Sequence, residues 1–446
     1  MSFALVKNPE NIVNKSSTDS GAGRLFIFSY VAAALMLLVA PFPGSAGLRG
    51  GFLLLSAIAL LIGFIRRRRT ADIKSPRLPS LLCVSAALLW IGGVATFSAF
   101  GPDPHTSLNA WRGDVLAPTL ACCVFYALTT TRQDLLKFNL TLLIGLVVLS
   151  AMLVNDPFRP EDPTHTALYG GVGRATMWFT TLAPLLPLAW LAPPQWRTVA
   201  RVACGMAFVA LLVGTWYSGN RAAWLSYAAM LLTGSAAAIL TAKRKNISWR
   251  AMLLVVPLLA LLGAGFYASS SYRASVHTGN QETPIEFLLK DNRGGIWHTA
   301  REMIGEKPWA GHGYDLDRVG DDFTKRLQDT RLQGSIRHAH NVLLDYAIQM
   351  GIFAAAILAI LFAALFYEFW RLAASTKNQR DQFARIAAIC GVALITGVLL
   401  RNMVDDFFSR HMVLIFGAIL GMLLGLANRR REPHQLHANI SVPSFS

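Results

Sequence analysis

Runs of about 17 to 25 predominantly apolar residues, the length a helix needs to cross a bilayer core, recur along almost the whole chain. Twelve such blocks are read, near 25–42, 48–65, 79–100, 113–130, 135–154, 175–192, 198–217, 222–241, 251–269, 342–369, 384–404 and 411–427. Composition agrees with this reading. Only 15% of the 446 residues are charged, where a soluble chain carries about a quarter, and the mean hydropathy is +0.43. The expected fold is an all-α polytopic membrane protein. Pro184 and Pro187 in the sixth block are compatible with it, because neighbouring helices re-satisfy the backbone in lipid.

The basic residues choose an orientation. With the N-terminus in the cytoplasm, 24 Lys and Arg fall in cytoplasmic segments, among them Arg66–Arg69, Lys243–Lys245 and Arg429–Arg431. Only seven fall in the short external loops and adjoining helix ends. The positive-inside rule therefore places both termini in the cytoplasm. The remaining ten basic residues lie in one external stretch, 270–340, together with ten acidic ones. The formal charge of +16 is thus a topology signal facing anionic lipid and not a nucleic-acid footprint.

The expected organisation is a cytoplasmic tail over 1–24, nine spans over 25–269, a long external loop over 270–340, three spans over 341–427 and a tail over 428–446. The first 24 residues are polar and no cleavable signal pattern follows them. All five cysteines fall inside apolar blocks, so no disulfide framework is expected in the loop.

Four external features carry chemistry. Arg221 follows Ser218–Gly219–Asn220 and opens a helix that dives back into the membrane. A cation there opposes the helix dipole, whereas a guanidinium beside free N–H groups makes a phosphate site. The plainer alternative is an arginine snorkelling to headgroups. The second feature is Asp291–Asn292–Arg293–Gly294–Gly295–Ile296–Trp297. Its glycines let backbone approach an anion beside Arg293, or else Asp291 or Asn292 simply caps a helix that runs to Ile304. Lys307–Tyr314 reads as the turn that ends this helix, with Trp309 and Tyr314 able to stack on a sugar or sit at headgroup level.

Third is Arg337–His338–Ala339–His340–Asn341. Two histidines one residue apart do not share a helical face and no further ligand follows, so the spacing is not that of a zinc site. A histidine at the mouth of a membrane helix suits a general base, and either His338 or His340 fits. Asn341 caps the helix or orients the imidazole. The last feature is Arg401, one turn inside the eleventh span, with Asp405 as its candidate partner; a charge at that depth is a functional-site hypothesis by default. Arg112 and Asp114 form a weaker case of the same kind. No ATP-binding loop, dinucleotide fingerprint or zinc-protease pattern is present.

Arg221 with Leu225, Arg293 with Trp297, and His340–Asn341 followed by Gly351 form an ordered set that resembles the bacterial O-antigen ligase and polymerase superfamily, most of all the ligases. Where the family has Gly, Thr or Val after that glycine, this chain has Ala354 or Ala355, a mild departure. The motifs cover about 215–355, and the rest of the resemblance is topology. It implies a fold like the C-type membrane glycosyltransferases (GT-C), a glycan donor on undecaprenyl diphosphate, a lipid A–core acceptor and an active site on the periplasmic face of the inner membrane. No cofactor or metal and no obligatory protein partner are expected. The implied roles are diphosphate binding by Arg221 and Arg293, a proton taken by His340 or His338, and support from Trp297, Asn341, Arg401 and Asp405. A polymerase or a protein O-oligosaccharyltransferase would share the donor. A secondary transporter is the reading from another class, but the halves lack the symmetry such proteins show.

Overall fold

The computed structural model describes residues 20–42, 44–68, 78–155, 172–192, 194, 197–218, 220–242, 249–278, 293–314, 316–327, 336–375, 381–404 and 410–429. Among these every regular element is helical. Among the described residues, eight helices are long and apolar enough to cross a membrane. Three shorter apolar helices cover Gly23–Val39, Thr176–Ala189 and Met412–Ala427. The chain is a polytopic helical membrane protein.

The first half comprises α1 (Ser20–Val39), α2 (Ala46–Arg68), α3 (Leu81–Phe100), α4 (Pro104–Trp111), α5 (Ala117–Leu128) and α6 (Arg132–Asn155). Ser29 of α1 donates to the Ser56 carbonyl of α2 at 2.8 Å, a polar stitch in an otherwise apolar contact. Asp103 caps α4, accepting from the Thr106 N–H at 3.2 Å. The fourth expected span departs from a plain helix, because α4 and α5 are joined by a π-helical turn, Arg112–Leu116. Such widened turns recur at functional sites, and this one carries Asp114.

The sixth expected span is also irregular. After α7 (Val172–Leu182) the chain tightens into a 3₁₀ segment, Ala183–Leu191. Pro184 and Pro187 lie in that segment, and proline removes the donor an α-helix would need. The helices α8 (Arg197–Ser218), α9 (Arg221–Leu240) and α10 (Trp249–Thr278) follow.

The tenth expected span, 342–369, is not one helix. It breaks at Gly351 into α13 (Val342–Met350) and α14 (Ile352–Ala374), and only α14 has the length to cross. The cause is local. Gly351 has φ +86°, where an L side chain is strained, and a Cβ there would collide with the Trp309 carbonyl. The loop from Pro308 to Gly313 runs through the break: Ile352 N–H donates to the Pro308 carbonyl at 2.8 Å, and His312 and Gly313 N–H donate to the carbonyls of Ile348 and Gln349. The last carbonyls of α13, which a helix end leaves without partners, are thereby satisfied.

Between α10 and α14 lie α11 (Arg293–Glu306) and α12 (Leu316–Arg326) as well as α13. They share a small apolar core of Ile296, Ala300, Met303, Val319, Phe323, Leu327, Ala339 and Ile348, separate from the main one. The turn read at Lys307–Tyr314 does end α11, at Glu306.

The centre of the bundle is α15 (Gln382–Asn402) and α16 (Arg410–Ala427). Every described side chain of α16 is buried, as expected of a helix apolar all round. Its Gly417, Gly421 and Gly425 meet the backbone at Pro118, Cys122 and Tyr126 of α5, where any Cβ would clash. This stripe of small residues lets two backbones close to contact, a packing mode suited to lipid where hydrophobicity itself does not draw helices together.

Candidate active site

The site is built at the end of the bundle where α9 starts and α15 finishes. Asn341 caps α13, its Oδ1 accepting from the N–H groups of Leu343 and Leu344 at 3.0 and 3.2 Å. Its Nδ2 donates to the Met403 carbonyl, just past α15, at 3.2 Å. Both ends of the amide are engaged in placing the helix, so Asn341 acts as cap and tether.

Immediately before it stands His340, with φ +51°, the sole non-glycine residue in the left-handed region among those described. A non-glycine residue held there is uncommon and stores strain that its surroundings must over-determine. The surroundings do so. The Ala339 N–H donates to Asp345 Oδ1 at 2.7 Å, and the Ala339 carbonyl accepts from Trp297 Nε1 at 3.1 Å. His338 Nδ1 accepts from the His340 N–H at 3.3 Å. The two imidazole rings lie 4.2 Å apart, and both side chains are half-buried.

Trp297 brings Arg293 with it. Arg293 opens α11 one turn earlier and is half-buried, so the arginine and the indole lie on one helical face. Asp291 and Asn292, the expected caps, lie outside the described residues.

Arg221 opens α9 as expected, with Asn220 as N-cap accepting from the Ala222 N–H at 3.0 Å. The side chain is half-buried. One turn on, Trp224 Nε1 donates to Ser269 Oγ of α10 at 3.0 Å, fixing the entry of α9. Leu225 is exposed on the outer face of the helix.

Helix α9 packs along α15, whose last turn holds Arg401. Arg401 is 0% exposed, and its Nη2 donates to Thr176 Oγ1 of α7 at 3.1 Å. Beside it Tyr227 of α9 shares a 2.7 Å hydrogen bond with Thr215 of α8. Asp405, its expected partner, lies outside the described residues. Hydrogen bonds and a ring contact thus join the two histidines, Asn341, Trp297 and the helix of Arg293 into one unit, tethered to Met403 just past α15; Arg221 stands on the helix packed against α15.

One expectation is corrected. Tyr314 cannot stack on a sugar, because it is buried at 4% exposure and donates to Asp114 Oδ2 of the π-turn at 3.2 Å. Its hydroxyl also lies 3.3 Å from that of Tyr346. Burial first, then the neighbouring Tyr346 and Asp114, push its phenol well above the usual range. It holds the loop against the π-turn as a neutral hydrogen-bonding group. Trp309, by contrast, is 62% exposed and stacks on Phe353 of α14 at 5.3 Å between ring centroids, a position suited to headgroups.

Asp345 was not singled out by the sequence. It is 3% exposed in the first turn of α13. The signal available was an acid five residues after His340, on a segment otherwise apolar.

This is a helical membrane protein whose polar site gathers at one end of the bundle. Residues 206–359 match the family model described as O-antigen ligase. That segment, about a third of the chain, supports kinship with the O-antigen ligase superfamily, and it holds Arg221, Arg293, Trp297, His338, His340 and Gly351. No curated protein matches the chain.

Proposed function

We propose that the protein is an O-antigen ligase, moving a glycan from undecaprenyl diphosphate to lipid A–core oligosaccharide at the periplasmic face of the inner membrane. The observation that carries this reading is the pinned left-handed turn at His340, tied through Trp297 to the helix that Arg293 opens, inside the segment that matches the family.

The chemistry follows from these residue types. The leaving group is a lipid diphosphate, whose charge grows as the glycosidic bond breaks. Arg221 and Arg293 are planar donors suited to bidentate contact with phosphate oxygens and supply the neutralisation. His340 takes the proton of the acceptor hydroxyl while its oxygen attacks the anomeric carbon, and in-line displacement inverts that centre. His338, which accepts the N–H of His340, holds the turn that presents His340. Arg401, buried beneath the site, supplies a fixed positive charge near the developing anion. Twelve crossings with both termini in the cytoplasm put the site on the periplasmic side, in a GT-C-like arrangement.

The test uses the purified full-length chain with lipid-linked glycan and lipid A–core, without nucleotide or added metal. Glycosylated lipid A–core should form, and an inverted anomeric linkage should be found in the product. If the same preparation lengthens lipid-linked glycan and leaves lipid A–core untouched, the chain is a polymerase and the ligase assignment falls.

A further inference from the structure

We infer that Asp345 is a positioning residue for the candidate base, holding the His338–Ala339–His340 turn in the one conformation that presents the His340 imidazole; the inference rests on the transferase reading above.

A buried carboxylate is costly unless its oxygens are engaged. An acid in the first turn of a helix ordinarily complements the dipole or caps the helix, but Asn341 already fills the cap of α13. Asp345 reaches backwards instead. Its Oδ1 takes the Ala339 N–H at 2.7 Å, while its Oδ2 accepts no hydrogen bond among the described residues and lies 3.7 Å from His338 Nδ1. The same nitrogen accepts the His340 N–H. One carboxylate therefore acts on His340 by two routes. It fixes the His338–Ala339 peptide group through its N–H, while Trp297 holds the carbonyl of the next one, Ala339–His340, and it faces the ring of His338 that lies against the ring of His340. Ala339 between them is 0% exposed, so the turn has no room to relax toward an ordinary β conformation.

The two variants that separate these routes are Asp345→Asn, which keeps an oxygen for the Ala339 N–H and loses the charge, and Asp345→Ala, which loses both. In the purified full-length chain, kcat falls about a hundredfold in Asp345→Ala, the scale of a misplaced catalytic group, and less in Asp345→Asn. KM for donor and acceptor stays unchanged in both, with thermal unfolding confirming that the assayed protein is folded. A kcat equal to wild type in both variants, or a loss confined to KM, overturns the inference while the transferase reading stands. If wild type itself transfers nothing, that reading has failed, and diethyl pyrocarbonate labelling of His340, followed by peptide mass spectrometry, decides the geometry alone. Labelling several-fold altered in Asp345→Asn sustains the pinned turn; equal rates in wild type and variant overturn it.

Discussion

The two ends of the helix bundle use charge differently. At the basic end, charged side chains join helices. Glu368 of α14 is 0% exposed, accepts from the N–H of Ser80, the N-cap of α3, at 3.2 Å and is balanced by Arg371 on its own helix at 2.7 Å. Arg429 pairs with Asp381 at 3.0 Å across α15 and α16, and Arg385 donates to the Ala238 carbonyl of α9. At the other end, arginines open helices or lie beneath them, and two histidines sit on a strained turn. Strain is tolerated where it presents a group, and satisfied ion pairs are found where helices only need joining.

The comparison yields predictions of decreasing size. His340→Ala should lower transfer by roughly 10² to 10⁴-fold, the usual worth of a general base, with no change in the unfolding temperature; wild-type turnover in that variant would remove His340 from the chemistry. Arg221→Lys and Arg293→Lys should each lose on the order of 10²-fold in kcat, because an ammonium cannot reproduce a two-pronged phosphate contact. Retained activity in either would reduce that arginine to a surface charge. At the basic end, Glu368→Ala should destabilise the chain by about 2–3 kcal/mol, below the cost for a fully buried pair since Arg371 is half-exposed. Its signature is an earlier thermal transition with unchanged turnover per folded molecule. Smallest is Tyr314→Phe, which forfeits one hydrogen bond to Asp114, about 1 kcal/mol, and should loosen the loop against the π-turn, visible as faster amide exchange over 308–313.

Much of this arrangement was legible in the sequence because lipid imposes simple rules. Apolar run length located the long helices, and Asn220 beside Arg221 and Asn341 beside His340 marked the helix starts where they are found as caps. Arg221 opens its helix, and the turn at Lys307 ends its own, as read. What stayed hidden were interactions between distant segments. Nothing in the run 342–369 announces that Pro308 and Trp309 will enter at Gly351 and split it, since periodicity does not register a contact forty residues away. For the same reason Tyr314 reads as an aromatic able to stack on a sugar although Asp114 lies against it, and nothing in the sequence singles out Asp345, which reaches back to Ala339.

The split at Gly351 has a mechanical consequence. Because the segment 308–313 is bonded both to the end of α13 and to the start of α14, the small helices α11 to α13 and the long rod of α14 share a joint. A load on the loop would pull on that rod, and a shift of the rod would reach the imidazoles through the same few peptide groups.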